Sequence, residues 1–378
     1  MPRFILSCEN KQELVDLIAI AQALRDTQGH DVEYFDITPL LAGGKGEWVD
    51  TPLFKRQWCA KAIQGQAFKE MPAGLKLLTS LINASYLVFL YYSRRADFLL
   101  VGTPLLTYRL ARMLTFGNLR LVTYIRGIIA YSDENTSVSS RIFTRFSKLM
   151  RLRAFASIVS DYYSDFVICT GEVTARFIGS RGVPTENIHV AGSVYCDSLT
   201  GDEGHKDKKT VVFVSSAFTF HGYHDAQQAQ TAMIRSISEH LAAQHPQVGF
   251  VVRIHPREGL SCYDNGLAQF LDAAVGDPLT SYPSNALFIS PISTLIFEMA
   301  YADRQSYLVA DPFFVRRFNT WYKAVGVVPI LDWRILIDNY VNGNAEQRQD
   351  FTNCISTRHK GNVVAKIARE LSRNFGTN

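Results

Sequence analysis

The chain has 378 residues, 47% of them hydrophobic and 20% charged, which fits two α/β domains of roughly 150–200 residues, each with its own core, and excludes a disordered chain. A formal charge of +4, with Lys and Arg spread along the chain, demands no nucleic-acid partner. Six cysteines (Cys8, Cys59, Cys169, Cys196, Cys262, Cys354) show no paired spacing and read as reduced core thiols of a cytosolic protein, not as a disulfide frame or a zinc site.

The chain starts with a short strand, Phe4 to Cys8, that passes into polar Glu9-Asn10-Lys11 without the apolar core of a signal peptide. Helix-like Gln12 to Thr27 and strand-like Val32 to Ile37 follow. A helix-rich insertion covers about Leu53 to Tyr92. Its longest apolar stretch, Leu75 to Tyr92, is interrupted by Thr79, Ser80, Asn83 and Ser85, so it does not read as a transmembrane span. Alternation resumes with Phe98 to Gly102, Leu105 to Leu114, Leu119 to Tyr124 and Phe166 to Thr170, which predicts a parallel sheet covered by helices. Arg141, Arg145, Lys148, Arg151 and Arg153 interleave with apolar residues, as in a solvated helix face or a segment that touches an anionic membrane. Polar Gly201 to Lys209 reads as a linker. A second alternation has strands Val211 to Ser215, Val248 to Ile254, Ala286 to Ile289 and Ser306 to Val309. The final helix, Val363 to Phe375, is placed back on the first domain, giving domains of residues 1–200 and 208–360 and a terminal helix in 361–378.

Three stretches of the second half carry the chemistry. An apolar strand ends on Arg253-Ile254-His255-Pro256-Arg257-Glu258, and in a parallel sheet ligands collect beyond the carboxyl ends of the strands. Pro256 restricts the backbone of His255 to one extended pose, and Arg253 and Arg257 flank it, as an anion site requires; a turn with a solvated histidine is the plainer reading. Downstream, Ser290, Ser293 and Thr294 cluster where a helix begins, so a phosphate there would gain N–H and hydroxyl donors. Glu298, one turn further in, suits the two hydroxyls of a ribose, and a simple N-cap is the alternative for one serine. The run Val211 to Gly222 takes a strand into a turn whose Ser215, Ser216, His221 and Gly222 either edge a nucleotide or form an ordinary loop.

On Pro184 to Gly192, Arg253 to Pro256 and Ser290 to Thr294 the chain resembles GT-B glycosyltransferases, and within them the bacterial sialyltransferase and capsule-type families that use CMP-activated sugars. The resemblance implies an α/β GT-B fold, two doubly wound Rossmann-like domains facing an interdomain cleft. It implies inverting, metal-independent transfer of a sialic, Kdo or related acid from a CMP donor to a surface glycan or glycolipid acceptor, in lipopolysaccharide or capsule synthesis. His255 would then contact the donor phosphate and serve the leaving group, helped by Ser293, Thr294 and, more distantly, Ser290. The family's general base is an acidic pair followed by Gly; here Asp133-Glu134 is followed by Asn135, and Glu9 is an alternative base. Asp133 and Glu134 also fit the cap of a helix that begins near Thr136. No cofactor beyond the nucleotide-sugar co-substrate and no metal is implied, and the expected setting is the cytoplasm, with peripheral contact at the inner membrane.

Other readings share these motifs. A UDP-sugar transferase would use Arg253 or Arg257 for its second phosphate. A CDP-glycerol-type transferase would carry His-Gly where this chain has Arg126-Gly127. A nucleotide-sugar epimerase would turn over donor without an acceptor, and a catalytically silent sensor would bind nucleotide only.

Overall fold

The computed structural model describes residues 3–42, 49–61, 71–127, 162–198, 209–272, 278–344 and 347–375. These form two compact units: one runs to Asp197 and takes up the chain again at Arg358, and the other lies between Ser198 and Thr357.

The first unit is built on seven strands: β1 (Arg3–Ser7), β2 (Asp31–Asp36), β3 (Phe54–Cys59), β4 (Phe98–Val101), β5 (Arg120–Ile125), β6 (Phe166–Cys169) and β7 (Ile188–Val190). They are all parallel, in the order β3-β2-β1-β4-β5-β6-β7. The apolar runs of β4 and β6 are buried along their whole length, as strands covered on both faces must be. Alternate side chains feed two layers. Phe4, Leu6, Phe98 and Leu100 pack with Leu17, Ile20 and Leu24 of α1 (Lys11–Gln28). Ile5, Leu99 and Val101 pack on the other face, with Leu87 and Leu90 of the helix Ala73–Arg94. Asn10 caps α1 by accepting from Glu13 N, and Gly29, at φ +66°, ends it in the left-handed region where glycine is unstrained.

After α2 (Thr38–Ala42), the insertion supplies edge strand β3 as well as helix α3 (Ala73–Arg94). The strand, Phe54 to Cys59, pairs in parallel with the free edge of β2, with Phe54 buried and Lys55 and Arg56 exposed. Helix α3 is long and apolar enough to cross a membrane by length and composition. Three of the four polar residues that interrupt its sequence face inward, and Ser85 is exposed: Thr79, Ser80 and Asn83 are buried, and Asn83 both accepts from Lys61 N at 2.8 Å and donates to Lys61 O at 3.0 Å. Leu77, Leu78, Ile82, Phe89 and Tyr92 face outward and are exposed.

Helices α4 (Leu106–Leu114), α5 (Glu172–Ser180) and α6 (Val194–Ser198) complete this run. The last helix of the chain, Val363–Phe375, lays Ile367 and Leu371 into the α1 layer. Its start is held from outside, because Asp197 accepts from Gly361 N and, at 3.0 Å, from Val363 N. Asp197→Ala is expected to lower the stability of this unit by about 1–2 kcal/mol, the usual effect of a lost helix cap, read as a lower urea midpoint at unchanged slope.

The second unit has five parallel strands, β8 (Thr210–Val214), β9 (Gly249–Arg253), β10 (Leu271–Asp272), β11 (Leu287–Ser290) and β12 (Gln305–Leu308), in the order β10-β9-β8-β11-β12. Its helices are α7 (His224–Gln244), α8 (Pro278–Ser281), α9 (Thr294–Tyr301), α10 (Pro312–Arg317), α11 (Asn319–Val325) and α12 (Trp333–Asn342), which makes the terminal helix α13. Both sheets have the strand order of a doubly wound Rossmann-like domain.

Candidate functional site

In the second unit β8, β9 and β11 end side by side: Val214 is in register with Arg253, and Ile289 with Phe213. The strand order reverses at β8 and β11, where a doubly wound sheet opens a crevice beyond its strand ends.

The turn after β9 is built around His255. Its N–H donates to Ser215 Oγ at 2.8 Å, Ser215 Oγ donates to Glu258 Oε2 at 2.8 Å, and Tyr263 OH donates to the same oxygen at 2.7 Å. Glu258 N closes the turn on His255 O at 2.8 Å. Arg257 N donates to His255 Nδ1 at 3.1 Å, which assigns the ring hydrogen of the neutral imidazole to Nε2. Burial, then the charge of Arg257 and the nearby His221, push His255 below the usual imidazole range, so the ring is neutral near pH 7. The Arg257 guanidinium lies 5.1 Å over the Phe220 ring, and Phe220 meets His221 edge-on at 5.2 Å. An imidazole N–H, an exposed guanidinium and a second imidazole are donors of the kind that suit an anion. Gly222, at φ +80°, ends the preceding turn in a backbone pose that a side chain would strain.

The hydroxyls of this region hold the strand ends together. Ser215 is fully buried in the His255 turn, and Ser216 Oγ donates to Ile292 O while its N–H donates to Gln230 Oε1 at 2.8 Å. Ser290 Oγ is buried and donates to Val214 O at 2.7 Å; Ser293 Oγ accepts from Leu295 N at 3.3 Å as the cap of α9. Thr294 is the hydroxyl left exposed at the first position of α9, and Glu298 is half-buried one turn on. Arg253 turns into the protein: it is 8% exposed, and its Nη1 donates to Tyr282 OH at 3.4 Å. Of the two arginines flanking His255, Arg257 is therefore the one at the surface, next to exposed Pro256. Asp133 and Glu134 lie outside the described residues, as does the basic segment 141–153.

Sequence reasoning missed Glu258, Tyr263 and Gln230. A carboxylate three residues after the His-Pro step is a usable signal for Glu258; Tyr263 and Gln230 are joined to the turn only by the fold.

The first unit carries a second ionisable group at its strand ends. Asp16 on α1 is 1% exposed, and Arg126, which follows β5, places Nε 3.4 Å from its Oδ2. The Arg126 guanidinium is stacked 4.5 Å over the Tyr195 ring. Burial raises the Asp16 carboxyl to about 6 against the pull of Arg126, and Glu13 adds to the rise. Glu13, itself raised by burial, accepts from Glu9 N at 3.1 Å and lies against Gly102, where a side chain would collide with its carboxylate. Glu9, the alternative base, is thus half-buried beside the Glu13 carboxylate after β1. The near-complete burial of Asp16 gives it a structural role, since substrate has no access to it.

No family model and no curated protein matches the chain. Solved structures match it end to end. UDP-GlcNAc 2-epimerase from Methanocaldococcus jannaschii is 13% identical, covers 99% of this chain and 100% of its own, and superposes with a TM-score of 0.58. UDP-GlcNAc 2-epimerase from Neisseria meningitidis bound to UDP-GlcNAc gives 11%, 98%, 100% and 0.56. MurG from Acinetobacter baumannii gives 12%, 99%, 100% and 0.51. The fold is GT-B-like.

These neighbours overturn the expectation of a sialyltransferase-like glycosyltransferase: the similar structures are UDP-GlcNAc 2-epimerases. The physical reason lies in the motifs that carried the resemblance. Ser290 and Ser293 face inward as a strand tie and a helix cap, so the Ser/Thr cluster reports the architecture of the fold more than a CMP donor.

Proposed function

We propose that the protein is a nucleotide-sugar epimerase that binds the diphosphate of a UDP-linked sugar at the His255 strand end of its second unit. The end-to-end match to UDP-GlcNAc 2-epimerases carries this reading, and two of those structures hold UDP-GlcNAc. The chemistry of the site supports it. A diphosphate needs more partners than the single phosphate of a CMP-sugar, and this strand end offers the Nε2–H of His255, the guanidinium of Arg257 and the second imidazole of His221. The start of α9, with Thr294 exposed, adds N–H donors and the positive end of the helix dipole, and Glu298 takes the ribose hydroxyls.

An epimerase needs no acceptor. Incubated with UDP-GlcNAc alone and followed by proton NMR, the protein is expected to produce a second set of sugar resonances, those of the C2 epimer. In D₂O the C2 proton should exchange as the centre inverts. Unchanged UDP-GlcNAc in the presence of a UDP-dependent rise in melting temperature would leave a binding protein and overturn the proposal; so would turnover that begins only when a glycan acceptor is added.

A further inference from the structure

Among the described residues, one group of metal-ligating side chains stands together away from the strand ends: His240, His245 and Asp338, whose ligating atoms all lie within 4.8 Å of one another. His240 is near the end of α7, His245 is the residue just past it, and Asp338 is on α12. The two Nε2 atoms converge on one oxygen, Asp338 Oδ1, at 2.9 and 2.7 Å. Burial acts to raise the Asp338 carboxyl, but hydrogen bonds from His245 and His240 outweigh it and hold the group below its ordinary range, so it is charged at neutral pH. The imidazoles are mostly buried, at 13% and 14% exposed, while Asp338 is 39% exposed. The His240 ring sits edge-on to Trp333 at 5.6 Å, which fixes its orientation.

We propose that these three side chains form a divalent-cation site of the zinc class that ties α7 to α12. Two imidazole nitrogens and one carboxylate oxygen are a donor set that suits zinc, with a fourth position open to water on the exposed side of Asp338. In a tetrahedral site with metal–ligand bonds of about 2.0–2.1 Å, neighbouring ligand atoms are about 3.3 Å apart. The present distances therefore need to widen by about 0.5 Å, within reach of a half-exposed aspartate. The cation takes the place of the two Nε2 hydrogens, each ring then carrying its hydrogen on Nδ1, and protons compete with it for the same nitrogens, so binding weakens as pH falls.

The site's place in the fold separates it from the chemistry. His245 precedes β9 (Gly249–Arg253) and His255 follows it, so the two lie at opposite ends of one strand, about 16 Å long at about 3.3 Å per residue. The cation serves stability, and nucleotide binding is indifferent to it.

The test uses the full chain freed of metal with EDTA. Zn²⁺ is expected to raise the melting temperature by about 3–6 °C, reversibly with EDTA and with no effect of Mg²⁺, and calorimetry should count one ion per chain. Co²⁺ should give the intense visible bands of tetrahedral coordination. His245→Gln and Asp338→Asn, which leave the strand-end residues untouched, should each abolish the shift and the bands. A wild-type protein with neither shift nor bands overturns the site, whatever the variants do. Equal shifts in wild type and both variants, or a tenfold change in UDP affinity on adding Zn²⁺, would put the cation elsewhere and overturn it too.

Discussion

Replacing His255 by alanine is expected to cut turnover of a UDP-linked sugar by on the order of 10²–10³-fold, equivalent to about 3–4 kcal/mol, the usual effect of removing one preorganised donor from developing negative charge. The turn around His255 makes the effect large. Its backbone is pinned by Ser215 Oγ at 2.8 Å and its ring by Arg257 N at 3.1 Å, so Nε2–H is aimed before ligand arrives. The loss should appear in kcat; a raised KM with unchanged kcat would mean that His255 binds ground state and transition state alike, and the assigned role would fall. Protonation gives a second readout. Burial, Arg257 and His221 hold the free ring below the ordinary imidazole range, and a bound diphosphate favours the charged ring, which gives up the Arg257 N–H contact at Nδ1. UDP binding near pH 6.5 should therefore take up protons, seen as a binding enthalpy that changes with the ionisation enthalpy of the buffer. His255→Ala should abolish that dependence. Its persistence in the variant would move the titrating group elsewhere.

Much of the fold was legible because buried parallel strands leave near-continuous apolar runs. Strands β1, β4, β5, β6, β8, β9, β11 and β12 stand within a residue or two of where the sequence places them, and α13 coincides with Val363 to Phe375. The misses share a cause, which is that edges carry weak patterns. Strand β3 has three polar residues in a row, Lys55 to Gln57, inside a stretch read as helix-rich, and β7 is only three residues long. Helix α3 blurs the usual rule, since its inward face holds hydrogen-bonded Thr79 and Asn83 and buried Ser80 along with Ala84, Leu87 and Leu90, while other apolar residues face out. At the candidate site the His-Pro step and the helix start were legible because strand ends and caps are local. The direction of each hydroxyl was not, because Ser216 meets Ile292, and Ser290 meets Val214, only after the sheet has formed. Nor does any spacing announce that Asp338 lies between His240 and His245.

Arg126→Gln is expected to destabilise the first unit by about 3–5 kcal/mol at pH 8, because it strands an ionised and almost fully buried carboxylate. Asp16 Oδ2 makes no hydrogen bond among the described residues, and Arg126 Nε at 3.4 Å supplies the countercharge. The same burial sets the pH dependence. Asp16 titrates at about 6 in the folded protein against 3.8 ordinarily, so the folded chain holds this proton more tightly than the unfolded one. For a raised carboxyl, the stability that protonation confers is fully present below about pH 4 and is lost as pH rises through 6, a change of about 3 kcal/mol. The cost of Arg126→Gln should therefore be much smaller at pH 4.5 than at pH 8. Asp16→Asn should remove this part of the slope, gain stability relative to wild type above pH 6, and make a further Arg126→Gln change mild. Urea midpoints of the four proteins across pH 4.5–8 close the cycle. Equal costs of Arg126→Gln at both ends of that range, or an unchanged slope in Asp16→Asn, would show that Asp16 is ionised throughout and that its burial is not what raises it.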